Sequence, residues 1–599
     1  MEKNTLWAII ISCTLLVGFS LIQQRVYGPK PDGTDISQEI VQENETSVEQ
    51  NISVVSSAKS QNIAEQQIDV TTNKIHVVLT NKGGDVVKYE LLDFDDSKTG
   101  GKVQMVDSVE DTNRACSVSF GPSSESATNG IINENFNVKK IDDLTYVFER
   151  NFLAKDQDGK DSEFTLQKKY SFHNDEYLFK LEISVIGKDG QVLDMNGASY
   201  TLRTAPQIGP YYNRKMDRYE NRTFLAFTEK EKAKKTNIKD NQFKNYEKPY
   251  LWTGVTSKYF AFLVVPEEHE KMGTILYSKA LDSNDYANAQ VMLSRNPISG
   301  TTTDTYYIYA GPKVSSALKI YNKIEKNSWG VSGLKLDDSL NTSGLLSWLE
   351  IAMKWIMEMI YKVIPNWGVA IIIMTILLRF ALFPLTKKSS ESGLKMQEVQ
   401  PKMTEIQEKY KNQPEKMNAE MSKLYKEVGY NPMMGCLPLL IQFPLLIAMF
   451  NLFNNYFEFR GAMFIPGWIP DLSVGDSVYS IKHFSIPLLG TEIRILPLIY
   501  LASQVLTGVF TGNDGATAGA SANQKSMKIM MYVMPFLFFF VFYNAPAGLI
   551  LYWTVSNIFS LFQQLYIKSS NKKKKAKMEA EKNAKKVQDF VPRKKKKTR

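Results

Sequence analysis

The hydrophobic positions change rhythm several times along this chain, and each change marks a boundary. Residues Leu6 to Ile22 form an apolar run of 17 after Glu2 and Lys3, the layout of a secretory signal peptide or an uncleaved signal anchor. The run leaves through Gln23-Gln24-Arg25 with no small-residue cleavage site, which favours the anchor. Cys13 ends a faint lipoprotein-like box, but a hydrophobic region of only seven residues, Leu6 to Ser12, precedes it. A plain membrane cysteine fits better. From Pro29 to about Gln67 the chain is rich in Asp, Glu, Gln, Asn and Ser with few aromatics, the composition of a disordered spacer.

From Ile75 to about Tyr309 the rhythm becomes that of strands. Short β-branched and aromatic runs (Ile75 to Thr80, Val86 to Phe94, Leu144 to Asn151, Phe164 to Phe172, Leu178 to Val185) are separated by turn signals at Lys82-Gly83-Gly84, Asp158-Gly159 and Asp189-Gly190. This spacing predicts a large all-β sandwich on the outer side of a membrane. A helix over Pro312 to Ile324 is expected to close it. Trp348 to Val363 differs again: Glu350, Lys354, Glu358 and Lys362 recur every fourth residue on an otherwise apolar helix. Such a narrow polar stripe predicts a segment lying in the membrane interface.

The next run, Trp367 to Leu385, has membrane length, with 19 residues and one charge, Arg379, and is closed by Lys387 and Lys388. An arginine in hydrocarbon costs roughly 2.5 to 3.5 kcal/mol even on the lenient insertion scale, and it cannot shed its proton. Either its side chain snorkels to the inner headgroups, about 9 Å away at helical rise, or a water-filled cavity in the membrane solvates it. Two seams follow. Met396, Val399, Met403, Ile406 and Tyr410 are matched, beyond Asn412-Gln413-Pro414, by Met417, Met421, Leu424 and Val428. Their heptad-like spacing predicts an antiparallel helical hairpin, kinked or delayed by Pro401, whose Met-rich surface would also suit a partner.

Four further spans are expected: Leu437 to Phe457, Ile495 to Phe510, Ile529 to Tyr543 and Leu549 to Ile567, making six with the anchor. The second and third of these, at 16 and 15 residues, would reach about 24 and 22 Å against a hydrocarbon core of about 30 Å, so the bilayer would have to thin beside them. Nine Lys/Arg lie between Lys387 and Glu427 but only two, Arg460 and Lys482, between Asn454 and Ile493. The asymmetry predicts cytoplasmic termini.

Charge and chemistry refine this picture. The chain has 599 residues, 43% of them hydrophobic, and a net charge of +9. That charge is concentrated, because Lys568 to Arg599 carries 15 Lys/Arg against 3 Asp/Glu, a net of +12. Its basic runs are Lys572, Lys573, Lys574 and Lys575, then Arg593, Lys594, Lys595, Lys596 and Lys597. They predict a disordered polycation suited to ribosomal RNA, to anionic lipid, or to a purely topological role. Three cysteines, Cys13, Cys116 and Cys436, make no disulfide framework, and His76, His173, His269 and His483 lack metal-ligand spacing. No GxxxxGK[ST] is present, and no cofactor is expected.

A set of short motifs now bears on class: Asn366-Trp-Gly-Val-Ala, Leu378-Arg379-Phe, Phe383-Pro-Leu-Thr-Lys-Lys388, Leu394-Lys-Met-Gln397, Gln400-Pro-Lys-Met403, Leu424-Tyr-Lys-Glu427, Asn431-Pro432, Gly435-Cys-Leu-Pro438, Ile465-Pro466, Asp471-Leu472 and Leu551-Tyr-Trp553. In order and spacing they resemble the YidC-type membrane protein insertases of the Oxa/Alb superfamily, in the form with a large periplasmic domain. The resemblance is dense over the membrane core and holds only by pattern over the outer domain. It implies a polytopic α-helical membrane protein of six spans in the bacterial inner membrane, with a periplasmic β-supersandwich like sugar mutarotases and a cytoplasmic helical hairpin. The corresponding segments are 1–28 (anchor), 29–67 (spacer), 68–330 (β-domain), 331–365 (linker and interfacial helix), 366–388 (second span), 389–430 (hairpin), 431–567 (remaining spans) and 568–599 (tail).

The resemblance also implies a non-enzymatic insertase with a hydrophilic groove. Its residues, carried over by position, are Arg379, Thr375, Gln442, Gln504, Trp553 and Asn557, and its partners are nascent membrane proteins, the translating ribosome, a Sec-type translocon and the lipid bilayer. There are departures. Thr507-Gly508 stands where a Gln-Lys pair is expected, and Ser556-Asn557 where an Asn-Asn pair is. On this reading a client's polar tail enters the groove, attracted by Arg379, and its apolar part slides into lipid past the Phe- and Met-rich wall Met534 to Phe542. Two other classes fit less well: a solute transporter, for which no inverted repeat is visible, and a sugar-modifying outer domain built on His173 or His269, which rests on fold analogy alone.

Overall fold

A computed structural model describes residues 54–56 and 63–589 apart from short internal stretches, the longest being 512–532. The expected anchor Leu6 to Ile22 with Cys13, the Asp158-Gly159 turn, part of the span Ile529 to Tyr543 and the run Arg593 to Lys597 lie outside the described residues. The described chain divides after Thr342 into two compact units.

The first unit is built from antiparallel sheets of ten, five and four strands. The expected strands are present, several of them longer: Ile75–Thr80, Asp85–Asp95, Thr145–Lys155, Asp161–Ser171 and Leu178–Ile186. Period-two alternation decides which side chains turn inward. Along Asp161–Ser171 the buried positions are Phe164, Leu166, Lys168 and Tyr170. Phe260–Pro266, paired on both sides within the ten-stranded sheet, is buried at every residue. Aromatic contacts join the layers into a sandwich. Phe120 of the five-stranded sheet meets Phe152 and Phe164 of the ten-stranded one at 5.4 and 5.8 Å. Phe94 of the four-stranded sheet meets Phe260 edge-on at 5.6 Å.

Lys168 is the one charge in that inward row, and it is fully buried. Its Nζ donates to Asp85 at 2.5 Å and to the carbonyls of Gly83 and Cys116, while Arg114 Nε donates to the other Asp85 oxygen at 2.9 Å. Every buried charge in the cluster thus has a partner, which is the condition for tolerating it. The Gly83-Gly84 turn makes room: both residues have positive φ, and a Cβ on Gly84 would fall 2.9 Å from Phe148 Cβ. Cys116 is buried here, and burial pushes its thiol up to about 12, so it is an inert packing residue.

Two expectations for this unit are corrected. Val54–Ser56, assigned from composition to the disordered spacer, pairs as a strand with Phe152–Ala154. The helix expected over Pro312 to Ile324 is a single α turn, Ser315–Leu318, continued by a 3₁₀ turn, Lys319–Asn322. Three residues per turn put Leu318 and Tyr321 on one edge, and both are fully buried, Tyr321 against Tyr309 at 6.0 Å.

The second unit is helical: α1 (Ser347–Val363), α2 (Trp367–Lys409), α3 (Pro414–Val428), α4 (Pro432–Asn455), α5 (Leu496–Thr511), a helical stretch at 535–542, and α6 (Ala547–Asp589). Among the described residues one helix, Trp367–Ser392 within α2, is long and apolar enough by itself to cross a membrane, and Leu496–Phe510 is a shorter apolar one. α2 runs unbroken through Pro384 and Pro401, although the sequence pointed to a span and a separate hairpin arm. Proline already has a helical φ and forfeits one hydrogen bond, which flanking helix formers outweigh here. The two seams do meet. Val399, Met403 and Leu424 are buried together, with Ile406, Met421, Tyr425 and Val428 around them, and Gly429 in the left-handed region closes α3.

The polar stripe of α1 faces inward. Glu350 accepts from Asn451 at 2.9 Å and Glu358 from Tyr456 at 3.0 Å, so the stripe is turned onto α4 and the residue after it. Trp348, Ile351, Trp355, Met359 and Val363 form the exposed face. The tail is also corrected, since α6 continues as helix to Asp589. Lys, Ala, Met and Glu are good helix formers, the helix arrives already nucleated, and Lys577 and Glu581 are spaced as a favourable pair.

Candidate functional site

The start of α2 is fixed by the Asn366-Trp-Gly motif. Pro365 precedes it, and Asn366 caps the helix by accepting from Val369 N at 3.0 Å while its Nδ2 donates to the Phe464 carbonyl at 3.3 Å. Trp367 stacks on Tyr361 at 4.2 Å and meets Tyr456 and Phe459 edge-on. Twelve residues beyond Trp367, α2 presents Arg379 to α6. The two helices run parallel, since Phe380 contacts Phe559 at 5.0 Å and Phe383 contacts Tyr566 at 6.3 Å.

Arg379 Nε donates to Ser556 Oγ at 2.8 Å, and Nη2 donates to the same oxygen. Gln563 Nε2 donates to the main-chain carbonyl of Arg379 at 3.1 Å. The guanidinium therefore reaches α6 seven residues before the level of its own backbone. It leans toward the N-terminal end of α2, as helical side chains do, and away from Lys387 and Lys388. Snorkelling toward those lysines requires the reverse direction. No carboxylate pairs with Arg379 among the described residues, and both Nη1 protons meet no acceptor there.

Tyr552, one turn before Ser556, interacts through its hydroxyl with Ser556 and with Gln442 of α4. Arg379, Ser556, Tyr552 and Gln442 thus form one polar cluster joining α2, α6 and α4. The other expected groove residues are placed elsewhere. Thr375 is fully buried and bonds back to the Ile371 carbonyl at 2.6 Å, a self-satisfaction open to any helical threonine. Trp553 and Asn557 lie on the neighbouring stripe of α6, toward α5: Trp553 packs with Tyr500 and Phe542, and Asn557 donates to Ser503 at 3.3 Å. Gln504 donates to Tyr500 of its own helix. Lys572, Lys573 and Lys574 lie on the exposed extension of α6, and Lys575 is in the same helix. Ser556, the direct partner of Arg379, was legible in the sequence only as a departure from an expected motif.

In the β unit, His173 lies against Trp329 at 4.1 Å, and His269 pairs with its neighbour Glu270 at 3.6 Å. Neither forms the His and carboxylate cleft that sugar chemistry would need. Among the described residues no group of His, Cys, Asp and Glu is arranged to hold a metal.

A large antiparallel β-sandwich in one chain with a helical unit, whose one membrane-length apolar helix among the described residues carries an arginine, has the outline of a membrane protein with a large β-domain. The comparisons narrow this. A family model described as 60Kd inner membrane protein matches residues 359–575, and one described as YidC periplasmic domain matches residues 67–356. The membrane protein insertase YidC of Treponema denticola is 42% identical over 596 residues, covering 96% of this chain and 100% of the relative. That of Treponema pallidum is 35% identical over 633 residues, with 96% and 100% covered. A crystal structure of an active YidC insertase with its first transmembrane domain resolved is 16% identical, with 85% and 93% covered and a TM-score of 0.33. The chain belongs to the YidC family of membrane protein insertases.

Proposed function

We propose that this chain inserts newly made membrane proteins by drawing the polar tail of each client into a wet groove beside Arg379 while the apolar part passes directly into lipid. An incoming span gains free energy on entering hydrocarbon, so hauling its polar tail across is the obstacle. The observation that carries the reading is the state of Arg379: a permanent cation in the apolar helix α2, held by a hydroxyl and by no carboxylate among the described residues. A charge left uncompensated in that way needs water or a visiting anion. An acidic client tail supplies the anion.

On this reading the helical unit and the N-terminal anchor make six spans with both termini in the cytoplasm and the β-domain in the periplasm. The α2–α3 pair projects into the cytoplasm, the basic end of α6 holds the translating ribosome, and a Sec-type translocon cooperates. The exposed apolar face of α1 rests in the outer membrane interface. The test compares insertion of an acidic-tailed and a neutral-tailed client into proteoliposomes. Arg379→Ala should slow the acidic-tailed client selectively, and Arg379→Lys should keep part of the rate because the charge stays while forked hydrogen bonding goes. Equal rates on the acidic-tailed client for Arg379→Ala and the parent would overturn the electrostatic role.

A further inference from the structure

Ser556 and Gln563 stand on the stripe of α6 that also contains Tyr552 and Phe559, spaced 552, 556, 559, 563, the seam of a helix pair. Both reach the same residue of α2 from different levels. Ser556 takes the guanidinium and Gln563 takes the backbone carbonyl. Resting on the groove reading above, we infer that these two are positioning residues: they clamp Arg379 between them and set the depth at which its cation meets a client carboxylate.

The physical case has three parts. Arginine has a long, rotamer-rich side chain, and without Ser556 nothing else among the described residues holds the guanidinium up-helix against the pull of the polar end at Lys387. Pro384 deprives the Phe380 carbonyl of its helical donor, and Gln563 supplies a donor from outside at the adjacent carbonyl, that of Arg379, within the same turn. Gln563 is 6% exposed, and its Oε1 has no partner among the described residues. A leucine would pack there without that cost, so packing alone does not account for the amide. The hydroxyl of Ser556 accepts two donors from Arg379 and leaves Nη1 without an acceptor among the described residues, whereas a carboxylate at 556 would neutralise the cation.

The test uses the full chain in proteoliposomes with the paired acidic-tailed and neutral-tailed clients. Ser556→Ala should slow the acidic-tailed client about tenfold, the scale of one charge-assisted hydrogen bond, and Gln563→Leu about threefold, the scale of a neutral one, and both should leave the neutral-tailed client unchanged. Ser556→Thr, which keeps the hydroxyl, should restore the rate. Ser556→Cys, nearly isosteric and a weak acceptor, serves where Ser556→Ala fails to accumulate. In an Arg379→Ala background neither change should have a further effect, which a merely structural role would not reproduce. If both variants insert the acidic-tailed client at the parental rate while Arg379→Ala slows it, the clamp is wrong and the groove reading stands. If Arg379→Ala itself shows no preference between clients, the groove reading fails and takes the clamp with it. Equal slowing of both clients by Ser556→Ala, without rescue by Ser556→Thr, would also overturn the clamp.

Discussion

Gly368 and Phe464 pack with no room for a side chain between them: a Cβ on Gly368 would lie 2.0 Å from Phe464 Cδ2 and 2.7 Å from its Cβ. The second distance matters more. A ring tip swings away, but a Cβ moves only with its backbone, and that backbone is tied to Asn366 through the Phe464 carbonyl. Gly368→Ala should therefore destabilise the helical unit by about 1 to 3 kcal/mol, the range for overpacking. Thermal unfolding in detergent is the measurement. Adding Phe464→Ala should recover part of the loss, and a double variant no more stable than Gly368→Ala alone would contradict the assignment.

The α2–α3 pair closes on Val399, Met403 and Leu424, so its packing is largely its own. Deleting 389–427 should leave the rest of the helical unit accumulating normally while client delivery falls. Leu424→Ala, losing about 2 kcal/mol of packing, should increase protease cleavage within 399–428 in membrane vesicles. Normal insertion rates in the deletion variant would exclude a recruiting role.

If the basic end of α6 holds ribosomes as proposed, that binding should weaken steeply with salt, at a log-log slope of about 0.7 to 0.9 per phosphate neutralised. Co-sedimentation of ribosomes with the detergent-solubilised chain, full length against a version ending at Ile567, gives that slope without anionic lipid present. An unchanged bound fraction and slope after truncation would leave lipid binding or topology as the role of these lysines.

His76 makes the β-domain sensitive to pH. Its Nδ1 meets Glu90 at 2.8 Å and its Nε2 meets Asp69 at 2.9 Å. The bond to Glu90 chiefly, with that to Asp69, holds the imidazole above the usual histidine range against the opposing effect of burial. A raised folded pKa means stability that is fully present below the unfolded value, about 6.5, and lost as pH rises through the folded value. His76→Gln should thus lower the unfolding temperature at about pH 5.5 and matter little at about pH 8.5, an effect under about 1 kcal/mol for so open a site. Equal destabilisation at both pH values would show that His76 acts by packing.

Much of this was legible in the sequence because local rules decided it. Alternation marked Ile75–Thr80 and Leu178–Ile186, heptad spacing marked the Val399, Met403 and Leu424 seam, and one charge in an apolar run marked Arg379. The sequence was silent where the answer depends on which helix stands beside which. Ser556 and Asn557 are adjacent, yet α6 turns one to α2 and the other to α5. Thr375 lies one turn from Arg379 and spends its hydroxyl on its own helix. In α1 the polar stripe was visible, but not that Asn451 and Tyr456 would be there to receive it.

The unbroken course of α6 from Ala547 to Asp589 gives its two ends a common phase. Each residue advances the helix by about 100°, so the direction in which Lys572, Lys573 and Lys574 point is set by the direction in which Ser556 points. A slack tether would tolerate an added residue at position 569. A rod does not: one residue would swing the lysines through more than a quarter turn about the axis while leaving their number and their distance along the axis from Ser556 almost unchanged. The azimuth of those lysines about the helix axis is thereby geared to that of Ser556, and through it to Arg379.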